Sequence, residues 1–139
     1  MGSAPIRDLQ AMLRGMDPVL DEATAYRFIQ VAPDIAPQAL GAAIATIREA
    51  EGVTAVIPST LADELGQGGP DFARITLQVH SDLEGAGLTA AVATALASEQ
   101  IACNVIAAFH HDHLFVPWDK RAAALAALKT LSQDAHLKA

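Results

Sequence analysis

The chain has 139 residues, a formal charge of −7 and a single cysteine. Of these residues 52% are hydrophobic, but thirty are alanine, which leaves roughly 30% as larger apolar side chains, an ordinary supply for one compact domain. Disorder and a pair of large domains are excluded, and nine unclustered Lys and Arg residues in an acidic chain argue against nucleic acid or an anionic membrane surface as partner.

The first ten residues, MGSAPIRDLQ, lack the apolar stretch that directs secretion. The weakly charged segment 85–111 is interrupted by Glu99 and Gln100, so it does not read as a membrane span. A soluble, cytoplasmic protein is expected, consistent with the lone Cys103.

In chain order, Ile6, Leu9 and Leu13 with Gly15 as stop predict a helix over 6–14. Strands are expected at 25–31 and 54–57, with a helix over 38–50 between them and a short helix after Ser59. The strongest turn-forming run is 66–71, Gly-Gln-Gly-Gly-Pro-Asp. It divides the chain into an amino-terminal half, 1–66, a Gly/Pro linker, 67–71, and a carboxy-terminal half, 72–139. Charge divides there too: ten acids and four bases lie up to residue 71, six acids and five bases beyond it, with all five histidines.

The second half alternates cleanly from Phe72 to His80, with Ile75, Leu77 and Val79 on one face and Arg74, Thr76, Gln78 and His80 on the other, which predicts a half-buried strand. Beyond Gly87 the spacing turns helical, through Leu88, Val92, Ala95 and Leu96. A strand over 101–109, a turn at 110–112 and a returning strand at 114–116 follow, ended by Pro117. Asp119 is the expected N-cap of a last helix with Ala124, Leu125, Leu128 and Leu131 as its apolar stripe. The order β-α-β-β-α is ferredoxin-like without its final strand. Either strand 25–31 or strand 54–57 is expected to cover the edge left open along 72–80. The fold class is α+β, with antiparallel sheets and helices on one face.

The stretch 72–128 resembles the signature half of a bacterial family of small ACT-domain proteins. Such proteins read V-H-S-x-L, a glycine-containing loop with L-T-A, then I-x-x-N-V-x-A and D-H-x-F-V-P. Here the matching residues are Val79, His80, Ser81, Leu83, Gly87, Leu88, Thr89, Ala90, Ile101, Asn104, Val105, Ala107, Asp112, His113, Phe115, Val116 and Pro117. The first half is similar through Met16, Pro18, Val19, Leu20 and the segment REAEGVTAVIP of Arg48 to Pro58. The resemblance implies two intertwined ACT-like halves, a homodimer, and a small-molecule ligand, usually an amino acid, held where the loop after the first strand meets the first helix.

That loop is His80 to Thr89. Independently of the resemblance, Gly85 and Gly87 let main-chain N–H groups approach a ligand, and the start of the following helix favours an anion such as an α-carboxylate. Ser81 and Thr89 are candidate hydroxyl donors. Asp82, Glu84 or loop carbonyls could take an ammonium group, and Asn104 on the neighbouring strand offers a donor and an acceptor. The expected ligand-binding set is His80, Ser81, Asp82, Leu83, Glu84, Gly85, Gly87, Leu88, Thr89 and Asn104. The competing reading makes Ser81 and Glu84 a capping box and the glycines mere turn residues. Valine at Gly87 is expected to abolish ligand binding while leaving the fold largely intact.

Other chemistry is weaker. His110, His111, Asp112 and His113 crowd one hairpin tip, but strand neighbours diverge, so only His111 and His113 could share a metal and a third ligand is missing. His80 and Ser81 diverge likewise and form no dyad. Cys103 reads as a small buried hydrophobe, and the segment GAGLTA lacks the third glycine of a dinucleotide fingerprint and the lysine of a phosphate loop. The paired carboxylates Glu49 with Glu51 and Asp63 with Glu64 read as solvated. No catalytic set and no cofactor are expected. The function expected is a regulatory sensor of a small molecule, an amino acid by preference, whose output is a separate protein. The alternatives are a structural or protein-interaction module without ligand, and a metal-binding protein or metal-dependent enzyme using the histidines.

Overall fold

The computed structural model describes Pro5 and residues 7–137. In chain order the elements are α1 (Leu9–Arg14), β1 (Pro18–Gln30), α2 (Ala36–Ala42), β2 (Ala45–Glu49), β3 (Gly52–Pro58), α3 (Ser59–Glu64), β4 (Phe72–Leu77), α4 (Leu88–Ser98), β5 (Asn104–Ala107), β6 (Asp112–Pro117), a 3₁₀ turn (Trp118–Lys120) and α5 (Arg121–Leu137). Two compact units result, one of Met1–Asp21 with Ala73–Ala139, the other of Glu22–Phe72.

In the first unit the strands lie in the order β1-β4-β6-β5. With β4, β5 and β6 as first, second and third strands, this is the ferredoxin-type sheet, and the opening residues of β1 stand where its fourth strand would be. The strand that covers β4 is therefore β1, through residues ahead of the segment 25–31. Gln78 N–H donates to the Met16 carbonyl at 2.8 Å, and Arg74 pairs with Asp21 at 3.7 Å.

Alternation decides which face is buried. Ala73, Ile75 and Leu77 of β4, with Leu114 and Val116 of β6, point into one core with Met12, Leu13, Leu88, Val92, Leu96, Ala124 and Leu128 from the helices. Leu88, Val92 and Leu96 recur every four residues, so they form one stripe of α4. On α5 the expected stripe holds: Ala124 and Leu128 are buried, and Leu125 and Leu131 pack against them. Near its end, Ser132 Oγ donates at 3.4 Å and His136 Nε2 lies 3.0 Å from the Arg14 carbonyl, left over at the end of α1.

The second unit repeats the order strand, helix, strand, strand, helix, with strands in the order β2-β3-β1. Its core is Ile29, Ile35, Ala39, Ala55, Ile57 and Ala62. Arg27 is 6% exposed and engaged through all three nitrogens: Nε and Nη2 donate to Asp71 Oδ1 at 3.1 and 2.7 Å, and Nη1 to Asp63 Oδ1 and the Gln67 carbonyl, both at 2.8 Å. The two carboxylates raise the Arg27 pKa further, and the Ser59 hydroxyl with the Arg27 guanidinium holds Asp71 below its ordinary 3.8. Phe28 and Phe72 meet edge-on, centroids 5.5 Å apart. The Gly/Pro run is thereby tied to β1.

Several expectations are corrected. The helix expected over 38–50 ends at Ala42, and Ala45–Glu49 form β2, paired with β3 from Ala45↔Val56 to Glu49↔Gly52. Alanine, arginine and glutamate favour a helix locally, but backbone pairing with β3 prevails, and the exposed Arg48 and Glu49 suit an edge strand. Asp119 lies within the 3₁₀ turn instead of capping α5. Regular pairing of β4 stops at Leu77, and β5 spans only Asn104–Ala107. The first helix begins at Leu9, capped by Asp8, whose Oδ2 accepts from Ala11 N–H at 2.9 Å; Ile6 lies outside the described residues. Among the described residues no helix is long and apolar enough to cross a membrane.

Candidate functional site

After β4 the chain leaves the sheet through a tight turn. Asp82 Oδ1 accepts from Glu84 N–H at 2.7 Å, and the Asp82 carbonyl from Gly85 N–H at 2.8 Å. A Cβ on Gly85 would sit 3.1 Å from that carbonyl, a tight contact with backbone, so glycine suits a turn closed this far; Met12 Sδ, 3.5 Å away, would be in ordinary contact. Gly87, at φ 99°, is the N-cap of α4 and supplies no side-chain cap. The first N–H groups of α4 therefore have no partner from a capping side chain. A capping box of Ser81 and Glu84 is not formed, because the helix begins at Leu88.

Here a cavity of about 110 Å³ is enclosed by Met12, Ser81, Asp82, Leu83, Gly85, Gly87, Leu88, Thr89, Ala107 and Asp112. Seven of the expected residues converge on it: Ser81, Asp82, Leu83, Gly85, Gly87, Leu88 and Thr89. Three do not. Glu84 is turned to solvent, where Arg7 Nη2 donates to its Oε2 at 2.6 Å; the same guanidinium lies 3.3 Å from Asp82 Oδ2. The His80 ring lies against that of His110, centroids 5.4 Å apart. Asn104 pairs with Phe115, and since the adjacent pair Val105↔Leu114 faces the helices, Asn104 points to the opposite face.

Met12, Ala107 and Asp112 join the cavity without having been expected. The pairing Ala107↔Asp112 places both on the helix-facing side, and Ser81 Oγ donates to Asp112 Oδ2 at 3.2 Å. Asp112 was visible in the sequence as a turn residue, but its partner across the sheet was not. Two more open grooves exist, one of about 440 Å³ along the alanines of α4 and α5 and one of about 280 Å³ beside Arg14 and His136. They are shallow troughs on the helices, whereas the smaller cavity is less open and gathers two carboxylates, hydroxyls and a helix start.

The histidines take separate places. His113 Nδ1 lies 3.0 Å from Thr76 Oγ1; burial, then the charges of Arg74 and His111, lower its pKa from 6.5 against the opposing pull of Asp112. Among the described residues no group of three or more His, Cys, Asp or Glu is placed to hold a metal. Cys103 is half-buried, and burial pushes its thiol up from 9.0, away from a reactive thiolate.

Two family profiles, each described as an ACT domain, match the chain over residues 4–73 and 71–130. A Vibrio cholerae protein of unknown function, described as a possible transport protein, is 41% identical, aligns over 89% of this chain and 95% of its own, and superposes with a TM-score of 0.77. The regulatory subunit of aspartate kinase from Thermus thermophilus is 14% identical over 84% of this chain and 97% of its own, with a TM-score of 0.61. The alpha and beta subunits of an aspartokinase are 15% identical over 82% and 95%, with a TM-score of 0.55. No curated protein sequence matches the chain. With both halves matched and the ferredoxin-type order present in each, the chain belongs to the ACT-domain family, a family of ligand-binding regulatory modules.

Proposed function

We propose that the protein is a non-catalytic sensor of a free amino acid, bound in the cavity between the loop after β4 and the start of α4. The observation that carries this reading is the enclosed cavity itself. The uncapped start of α4, with the Thr89 hydroxyl on its first turn, suits a carboxylate. Asp82 and Asp112, which also line the cavity, suit an ammonium group. A ligand so held bridges the loop, α4 and the hairpin β5–β6, and favours the arrangement in which the three are closed on it. In this reading the protein is a cytoplasmic homodimer whose ligand-dependent state is recognised by a separate protein.

Thermal unfolding against each of the twenty amino acids tests the proposal. A ligand at a hundred times its dissociation constant adds about 2.7 kcal/mol, which raises Tm by several degrees in a chain of this size. Unchanged melting with every amino acid at millimolar concentration would sink the sensor reading. Light scattering with and without the stabilising amino acid then tests the homodimer.

A further inference from the structure

We propose, resting on the reading of this cavity as an amino-acid site, that Asp112 receives the ammonium group of the ligand. Three acids lie near the cavity, and the structure separates them. Glu84 is outside it, paired with Arg7. Asp82 has one oxygen on its own turn and the other beside the Arg7 guanidinium. Asp112 lines the cavity, pairs with no Lys or Arg among the described residues, and accepts the Ser81 hydroxyl at 3.2 Å on Oδ2. A carboxylate has about four lone-pair positions, so the rest of Asp112 can serve a ligand. No Lys, Arg or His lines the cavity, so its acidic end selects a cation.

Isothermal titration of the intact chain with each of the twenty amino acids, and with the amine-free analogue of the one that binds most tightly (propionate in the case of alanine), tests this. Asp112→Asn, which can still accept from Ser81, is expected to weaken that amino acid at least tenfold while its amine-free analogue binds no worse. Unchanged amino-acid affinity in Asp112→Asn would overturn this inference and leave the amino-acid reading standing. Failure of all twenty amino acids to bind the parent chain overturns it together with that reading.

Discussion

The Ser81 hydroxyl donates to Asp112 Oδ2 across 31 positions of sequence, at 3.2 Å. The bond joins the loop that leaves β4 to the first residue of β6, so the two segments bordering the cavity are held by one contact between side chains. A carboxylate accepting a single neutral hydroxyl is only partly satisfied, which is why this pair can both shape the cavity and retain capacity for a ligand.

Gly87 should tolerate no side chain even without ligand. Its φ of 99° is left-handed, and a Cβ there would meet Leu9 Cδ2 at 3.1 Å. Gly87→Ala is expected to cost about 1–2 kcal/mol, and Gly87→Val more, because the backbone strain is compounded by the contact. The expectation that valine spares the fold is therefore corrected. Urea unfolding checks it: Leu9→Ala combined with Gly87→Ala should recover the contact part of the loss and leave the strain.

The Arg27 network predicts an order of effects. Asp71 receives two bonds from the guanidinium and Asp63 one, and Asp63 is 72% exposed. Asp71→Ala is expected to destabilise by about 1–2 kcal/mol, and Asp63→Ala by less than about 1 kcal/mol, since an exposed pair is screened by solvent. Chemical unfolding midpoints of the two variants give the order directly, and equal losses would contradict it.

Acid should weaken the protein in two steps. The His113 pKa is lowered on folding, so its contribution is complete above 6.5 and is lost as pH falls below that value; Arg74, His111, Asp112 and Thr76 are the groups around it. Asp71 is also lowered, from 3.8, so its contribution is complete above 3.8 and disappears as pH falls further. Urea midpoints at pH 7.5, 6 and 5 should decline in the parent and stay flatter in His113→Asn. Asp71→Asn should flatten only the loss below pH 4.

Leu128 of α5 is fully buried in the first unit's core, whereas Leu83 is 68% exposed. Leu128→Ala is expected to cost about 2–5 kcal/mol through lost burial and the cavity left behind. Leu83→Ala should leave the unfolding midpoint nearly unchanged while altering the rim of the cavity beside α4. A large loss of stability in the second variant would place Leu83 in a packed environment that this fold does not give it.

Much of the second unit's neighbour in sequence, from Phe72 onward, was legible because its periods are clean. Ile75 and Leu77 alternate, Leu88, Val92 and Leu96 recur every four, and those patterns correspond to β4 and α4. The segment 43–50 was misread because Ala, Arg and Glu carry helix preference with no information about the strand that would pair with them. At the site, the loop Ser81 to Thr89 could be named from its glycines and its place before a helix. Asn104 could not be excluded, nor Asp112 included, because a strand residue's face depends on register, and one residue of shift reverses it.

Local pattern by itself determined the fold class, the elements of the carboxy-terminal half and the glycine-bearing loop that lines the cavity, since each depends on spacing within a few residues. Only the tertiary structure decided that β1 covers β4, that Arg7 occupies Glu84 and lies against Asp82, and that Asp112 completes the cavity. Those contacts join residues far apart in the chain, where strand pairing and packing, not neighbouring residues, choose the partner.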